Sequence, residues 1–147
     1  MKISIKNLQK NIPIDPGSIK KAVLKTWSLE GIKKSGEITF CFVNDKQIKE
    51  LNLRYLGKNN PTDVLAFDIT ERPKDRNRIL ADIVISTDRA IDNAREFKTA
   101  PLYELYLYVI HGLLHILGYD DKNRKLRKVM EEKTAHILSV LNFKYTK

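Results

Sequence analysis

The chain has 147 residues, a length typical of one domain with a single hydrophobic core. Hydrophobic residues make up 42% of it, but no stretch approaches the ~20 consecutive apolar residues that a membrane-spanning helix needs. Lysine and arginine number 27 against 18 acidic residues, so the net charge of +9 favours a polyanionic partner. Nucleic acid is the first candidate and an anionic membrane surface the second. Solubility alone is the other explanation of the charge.

The N-terminus does not begin like a secretory signal, because the positive charge at Lys2 is followed by alternating polar and apolar residues. We therefore expect a cytoplasmic protein. The only cysteine, Cys41, excludes a disulfide within the chain. Its position in an apolar run predicts a small buried hydrophobic residue rather than a reactive thiol.

Strand and helix patterns alternate along the first part of the chain. Residues 2–7 alternate as in a strand, and Asp15 followed by Pro16 is typical of a helix start. Residues 37–43 predict a second strand. Asn44, with a glutamine three residues later, resembles a capping box and predicts the start of a second helix.

The second part of the chain continues with two short apolar segments. Residues 64–67 and 79–85 predict two further strands, joined by a charged loop over 71–78 that carries four basic side chains. A helix is expected from Ser86 to about Phe97, although its apolar pattern is weak.

Two more helices are predicted at the end of the chain. Pro101 opens a strongly apolar helix that runs through His115 and stops at Gly118, which is a good C-cap residue. A last helix covers about 122–142. Together the patterns predict one α/β domain over residues 1–147, in which a small mixed sheet of about four strands packs with about five helices.

The residues best suited to metal binding or catalysis are concentrated at the end of the apolar helix. His111 and His115 are four residues apart, so their imidazoles lie about 6 Å from each other on one helical face and can reach one cation. Gly118 lets the chain turn back, so Asp121 can offer a third ligand. Two imidazoles and a carboxylate leave a fourth tetrahedral position open, which is typical of catalytic zinc. Alternatively, the histidines are polar residues on a partly exposed face and Asp121 caps the last helix.

The spacing H-x3-H-x2-G-x2-D is similar to the metzincin protease pattern. That pattern places a glutamate directly after the first histidine as general base. Here the position is Gly112. Peptide hydrolysis by the standard route is therefore disfavoured.

Residues 111–120 read H-G-L-L-H-I-L-G-Y-D, and this segment resembles the signature of the YbeY endoribonucleases, also called rRNA maturation factors. Residues 51–67 and 81–86 resemble the family's segment before its third strand and the strand that follows. The resemblance spans about residues 37–121. It implies a single-domain α/β fold and one Zn²⁺ ion per chain. It also implies cleavage of single-stranded RNA during maturation and quality control of the small ribosomal subunit in the cytoplasm. We expect no membrane partner.

Three positions depart from the family pattern. The third family ligand is a histidine, and Asp121 takes its place; its negative charge lowers the Lewis acidity of a bound cation, and the set also suits iron or manganese. Leu56 stands where the family commonly has an arginine proposed to contact phosphate, so Arg54 or Lys58 would have to take that role. Ala66 replaces a usual serine.

Other polar residues have mainly structural explanations. Asp120 is expected to be a turn residue or to support a ligand. Glu104 shares a helical face with His111 but lies about 10 Å along the axis, so we expect it to pair with a cation or cap its helix. His136 is expected to be structural. The basic run over 122–128 either contacts RNA or forms a solvated helix face.

These observations support three functional hypotheses. The leading one is a metal-dependent endoribonuclease in which His111, His115 and Asp121 bind the metal while Arg54 and Lys58 contact phosphates. The second is a non-catalytic RNA-binding assembly factor that retains the fold and the basic surface. The third is a metal-dependent hydrolase of another substrate, peptides included.

Overall fold

The computed structural model describes residues 1–70 and 77–143. The four strands of its one mixed sheet are β1 (Lys2–Asn7), β2 (Ser35–Val43), β3 (Val64–Asp68) and β4 (Arg78–Ser86). The strand order is β1-β2-β4-β3, in which β1, β2 and β4 are parallel and β3 is antiparallel to β4 at one edge. The predicted four-stranded mixed sheet is confirmed. Arg72, Lys74 and Arg76 of the predicted charged loop lie outside the described residues.

Five helices within the described residues pack around the sheet, as predicted. They are α1 (Pro16–Leu29), α2 (Asp45–Leu56), α3 (Thr87–Phe97), α4 (Pro101–Ile116) and α5 (Arg124–Val140). Asp15 caps α1, and Asn44 and Gln47 form the capping box of α2. Helix α5 is shorter than the predicted 122–142, because the side chain of Asn123 caps its start. Within 1–70 and 77–143, no helix combines the length and apolar character needed to cross a bilayer.

The two faces of the sheet are covered unequally. Helices α1, α4 and α5 contribute to the main core, where they meet Phe40 and Phe42 of β2 and Ile83 and Ile85 of β4. Because strand side chains alternate between faces, the intervening residues form a second, smaller cluster with α2. That cluster consists of Val43, Ile48, Leu65 and Val84. Most of the apolar burial that stabilises the domain therefore involves the face on which α4 lies.

Cys41 lies on the thinly covered face, against the smaller cluster, and is only half-buried. The prediction of a buried residue is therefore wrong, because α2 covers this face incompletely. Burial nevertheless raises the pKa of the Cys41 thiol, so the protonated, less nucleophilic form is favoured at neutral pH.

Helix α4 approaches the sheet most closely at Gly112. A Cβ atom built there would lie 2.8 Å from Cγ2 of Ile83 and 3.2 Å from Cγ2 of Val64, which is closer than carbon atoms normally pack. Position 112 thus faces β3 and β4 and has no room for a side chain. The absence of a glutamate at this position follows from packing.

We predict that Gly112→Ala lowers the free energy of unfolding by about 1–2 kcal/mol, because the strain of overpacking exceeds the gain of about 1 kcal/mol in helix propensity. Urea denaturation measures the change. Gly17→Ala is the matched control, since a Cβ at Gly17 meets only Asp15 Oδ1 at an ordinary 3.6 Å. Equal stabilities of the two variants would contradict the close packing of α4 on the sheet.

Candidate metal centre

The two histidines lie in the last turns of α4. The ring centroids of His111 and His115 are 4.8 Å apart, with an angle of 75° between the planes. The helix ends at Ile116 with Leu117 as its C-cap, and Gly118 adopts φ +108°, a conformation that side chains rarely tolerate. The chain therefore reverses direction directly after the histidines, as the glycine predicted.

The reversal brings Asp121 back beside the helix. Its Oδ2 atom lies 3.8 Å from Nε2 of His115, and one ligand atom from each of His111, His115 and Asp121 lies within 4.8 Å of the others. Asp120 instead accepts a hydrogen bond of 3.0 Å from the main-chain N–H of Lys122, so it is a turn residue. The three residues expected to share a cation are therefore close together.

The donor set fits a divalent transition metal. Ligand atoms around a tetrahedral ion with bonds near 2.1 Å lie about 3.4 Å apart, so small side-chain rotations would close the group around one ion. Burial lowers the pKa of His111, and the neighbouring His115 lowers it further. A neutral imidazole, which has the lone pair that metal binding requires, is consequently favoured at neutral pH. His111, His115 and Asp121 could hold a metal ion.

An open cleft of about 550 Å³ lies beside this group. Its walls are the edge strand β3, the end of α2 with the following loop, and the end of α4. His115 and Asp121 line it, together with Lys58, Leu56 and Ala66. A substrate in this cleft would reach His115 and Asp121 directly, whereas His111 is not among the described residues that line it.

The two basic residues proposed to contact phosphate have different positions. Gly57 ends α2 in the left-handed conformation with φ +69°, and the N–H of the next residue, Lys58, bonds to the carbonyl of Asn52 at 3.3 Å. This turn places Lys58 on the cleft wall, whereas Arg54 is not among the described residues that line it. Leu56, which stands where an arginine was expected, also lines the cleft and is 53% exposed.

The cleft runs along the unpaired edge of β3. Ser86 N–H bonds to the Asp63 carbonyl and Ile69 N–H to the Leu80 carbonyl, so odd-numbered residues of this segment pair with β4. In an antiparallel ladder the intervening residues then direct their main-chain groups away from the partner strand. The N–H and C=O of Ala66 therefore point towards the cleft, where no strand of the described residues pairs with them.

Sequence reasoning missed four polar residues of the cleft, Asn52, Asn60, Thr62 and Asp68. Asn52 is 2% exposed, and its side-chain NH₂ donates to the Asn60 carbonyl at 2.9 Å, which fixes the loop after α2. No local pattern distinguishes such an amide from an exposed one. Asp68 could have been found, because strand alternation places it on the same face as Val64 and Ala66.

The remaining polar residues fall outside the cleft. The side chain of Glu104 is buried and accepts a 2.9 Å hydrogen bond from the Thr99 hydroxyl just before α4, so it holds the start of its helix. His136 is exposed on α5. The basic residues of 122–128 are exposed as well, and the run begins directly after Asp121.

The burial of Glu104 at the start of α4 can be tested through its effect on stability at different pH values. Desolvation raises its pKa, so stability is lost as the pH rises from the ordinary pKa of glutamate through the raised value in the fold. We predict that Glu104→Gln raises the free energy of unfolding at neutral pH and has little effect at acid pH. Urea denaturation at both pH values measures this, with the exposed Glu96→Gln as control. A pH-independent difference would contradict the burial of this charge.

The fold and site together define a small α/β protein with a candidate metal centre at the end of a core helix, in a cleft along a sheet edge. A family model described as Endoribonuclease YbeY matches residues 4–142. The chain therefore belongs to the YbeY endoribonuclease family.

Individual relatives support this assignment. The endoribonuclease YbeY of Syntrophus aciditrophicus is 38% identical over 146 residues, covering 97% of this chain and 91% of that protein. The protein of the same name from Parabacteroides distasonis is 39% identical over 121 residues, covering 82% and 80%. The solution structure of TM1509 from Thermotoga maritima is similar with a TM-score of 0.60 and 26% identity, covering 94% of this chain and 90% of that one.

Proposed function

We propose that this protein is a metal-dependent endoribonuclease that cleaves single-stranded RNA. The observation that carries the proposal is the convergence of His111, His115 and Asp121 at an open cleft in a member of an endoribonuclease family. The net charge of +9 supports a polyanionic substrate. His111, His115 and Asp121 would hold one divalent cation, zinc being the metal that this donor set suits first.

The cation, when bound, would supply Lewis-acid stabilisation of negative charge on the phosphoryl oxygens. The residues of the chain would bind and orient the strand. Lys58 places an ammonium group on the cleft wall for a phosphate, and the outward N–H and C=O of Ala66 can hydrogen-bond a base or ribose. Asp121 Oδ2 lies 3.8 Å from His115 Nε2, so the two atoms could bind the same cation.

The size of the cleft favours a single strand. A volume of about 550 Å³ is that of a pocket for a small molecule and accommodates one or two nucleotides. A duplex is stiff and is wider than a cleft of this size. Unpaired RNA can place a single phosphodiester there.

We propose ribosomal RNA of the small subunit as the physiological substrate and the cytoplasm as the compartment. Support comes from the family resemblance of residues 37–121 and from the basic surface, which suits a ribosomal partner.

One observation favours a second candidate, a non-catalytic RNA-binding assembly factor. Leu56, an exposed apolar side chain, lines the cleft where the resemblance calls for an arginine, and Asp121 replaces the third histidine. Incubation of the metal-loaded protein with single-stranded RNA, with and without a chelator, separates the candidates. Chelator-sensitive cleavage supports the nuclease, whereas salt-sensitive binding without cleavage supports the assembly factor. Cleavage of a peptide pool instead would support the third hypothesis.

We predict that His111→Ala, His115→Ala and Asp121→Ala each lower zinc affinity at least about tenfold, because each removes one of three ligands. Elemental analysis after gel filtration should give about one metal per wild-type chain and much less for the variants. His136→Ala is the matched control, since this third histidine is exposed on α5. Full occupancy in Asp121→Ala would remove the aspartate from the proposed ligand set.

We predict that Lys58→Ala weakens binding of single-stranded RNA and reduces the slope of log affinity against log salt by about 0.7, the value for one phosphate contact. Fluorescence anisotropy across a salt series measures both. Arg54→Ala should have a smaller effect, and Lys46→Ala, on an exposed residue at the start of α2, serves as control. Equal slopes for Lys58→Ala and Lys46→Ala would refute the phosphate contact.

A further inference from the structure

A second hollow continues the cleft beyond the candidate metal centre. It encloses about 370 Å³, and two of its lining residues, Asp68 and Ile116, also line the cleft. Its far wall consists of the loop after α1, which carries Lys33 and Lys34. Cleft and hollow thus share a wall, and we call the two together the groove: Lys58 lines the cleft, and these two lysines line the far wall of the hollow.

The loop that presents Lys33 and Lys34 is held in place at both ends. Gly31 ends α1 with φ +64°, and Ile32 N–H bonds to the Trp27 carbonyl at 3.2 Å. The indole N–H of Trp27 donates to the Lys34 carbonyl at 3.1 Å. Trp27 therefore fixes the loop backbone from two sides, so a strand that binds here does not have to order it.

The hollow combines apolar surface with three basic side chains, Lys33, Lys34 and Arg78, and one acidic side chain, Asp68. Ile32, Ile79 and Leu117 contribute apolar surface. Lys33 and Lys34 are exposed and form no ion pair with other residues of 1–70 and 77–143, whereas the nearby Arg78 is bonded to Glu37 at 2.8 Å. Apolar surface suits the faces of bases, and exposed ammonium groups suit phosphates, so the chemistry is that of single-stranded nucleic acid.

We propose that this hollow is a second subsite for the RNA strand, in which Lys33 and Lys34 contact the phosphates of nucleotides that flank the one at the candidate metal centre. The proposal rests on the proposed function, because it takes RNA as the substrate of the cleft. It adds that the bound RNA extends past the end of α4, so the protein prefers strands long enough to contact both the cleft and the hollow.

The test compares the double variant Lys33→Ala/Lys34→Ala with Lys20→Ala/Lys21→Ala, which removes two exposed lysines of α1 away from the groove. Binding of unstructured RNA oligonucleotides of about four and about twelve nucleotides is measured by fluorescence anisotropy across a salt series. We expect the groove variant to bind the long oligonucleotide about tenfold more weakly and with a salt slope reduced by about 1.4, the value for two phosphate contacts. Its affinity for the short oligonucleotide and its zinc content should equal those of the wild type.

Three results would overturn the proposal. Equal effects of the groove variant and the α1 variant on the long oligonucleotide would show that the loop makes no specific contact. Equal weakening for short and long oligonucleotides would place the lysines at the cleft itself. If the wild type bound neither RNA, the proposed function would fail together with the subsite, whereas the first two results leave RNA as the substrate.

Discussion

The close contact of α4 with the sheet at Gly112 determines where every other part of the site lies. Because residue 112 faces Ile83 and Val64, successive residues of the helix are fixed in rotation about its axis. His111 and His115 then lie on a face to one side of the one that contacts the strands. That face borders the free edge of β3, so the candidate metal ligands lie beside a strand whose outer main-chain groups are unpaired.

The charges of the site are balanced between its centre and its rim. With a divalent cation bound, Asp121 leaves a smaller net positive charge at the centre than a third neutral histidine would, and it weakens the attraction for phosphate there. Basic residues around the centre act in the opposite direction. Lys58 lies on one wall, and the exposed basic run over 122–128 follows Asp121 directly. Such a distribution draws a polyanion to the cleft from outside and makes binding sensitive to salt.

Much of the fold could be predicted because its signals are local. Asp15, Asn44 and Gly118 mark helix ends through hydrogen bonds and backbone conformations that involve only neighbouring residues. The grouping of the two histidines with Asp121 was predictable for the same reason, since a helical turn and a glycine reversal fix it. The half-burial of Cys41 was not, because it depends on how much of the sheet α2 covers.

The parts of the site that arise between distant segments were harder to predict. The sequence offered Arg54 and Lys58 as equal candidates for a phosphate contact. The turn at Gly57 distinguishes them, because it brings Lys58 to the cleft wall. The second hollow joins the loop at 31–34 to the end of α4, residues about 80 positions apart in sequence. Such a contact leaves no periodicity or spacing to detect.

The chain shares with the metzincins the spacing of its candidate metal ligands but not the glutamate base. The packing of α4 on the sheet explains this difference. Two histidines one turn apart and an acidic residue after a glycine form a compact way to hold a cation at a helix end, whatever the substrate. The metzincin base would require a glutamate at position 112, but that position lies against Ile83 with no space for a Cβ atom. A larger side chain there would have to displace the side chains of Ile83 and Val64. The packing that orients the helix therefore disfavours a glutamate base at this position, so the shared spacing does not bring the protease mechanism with it.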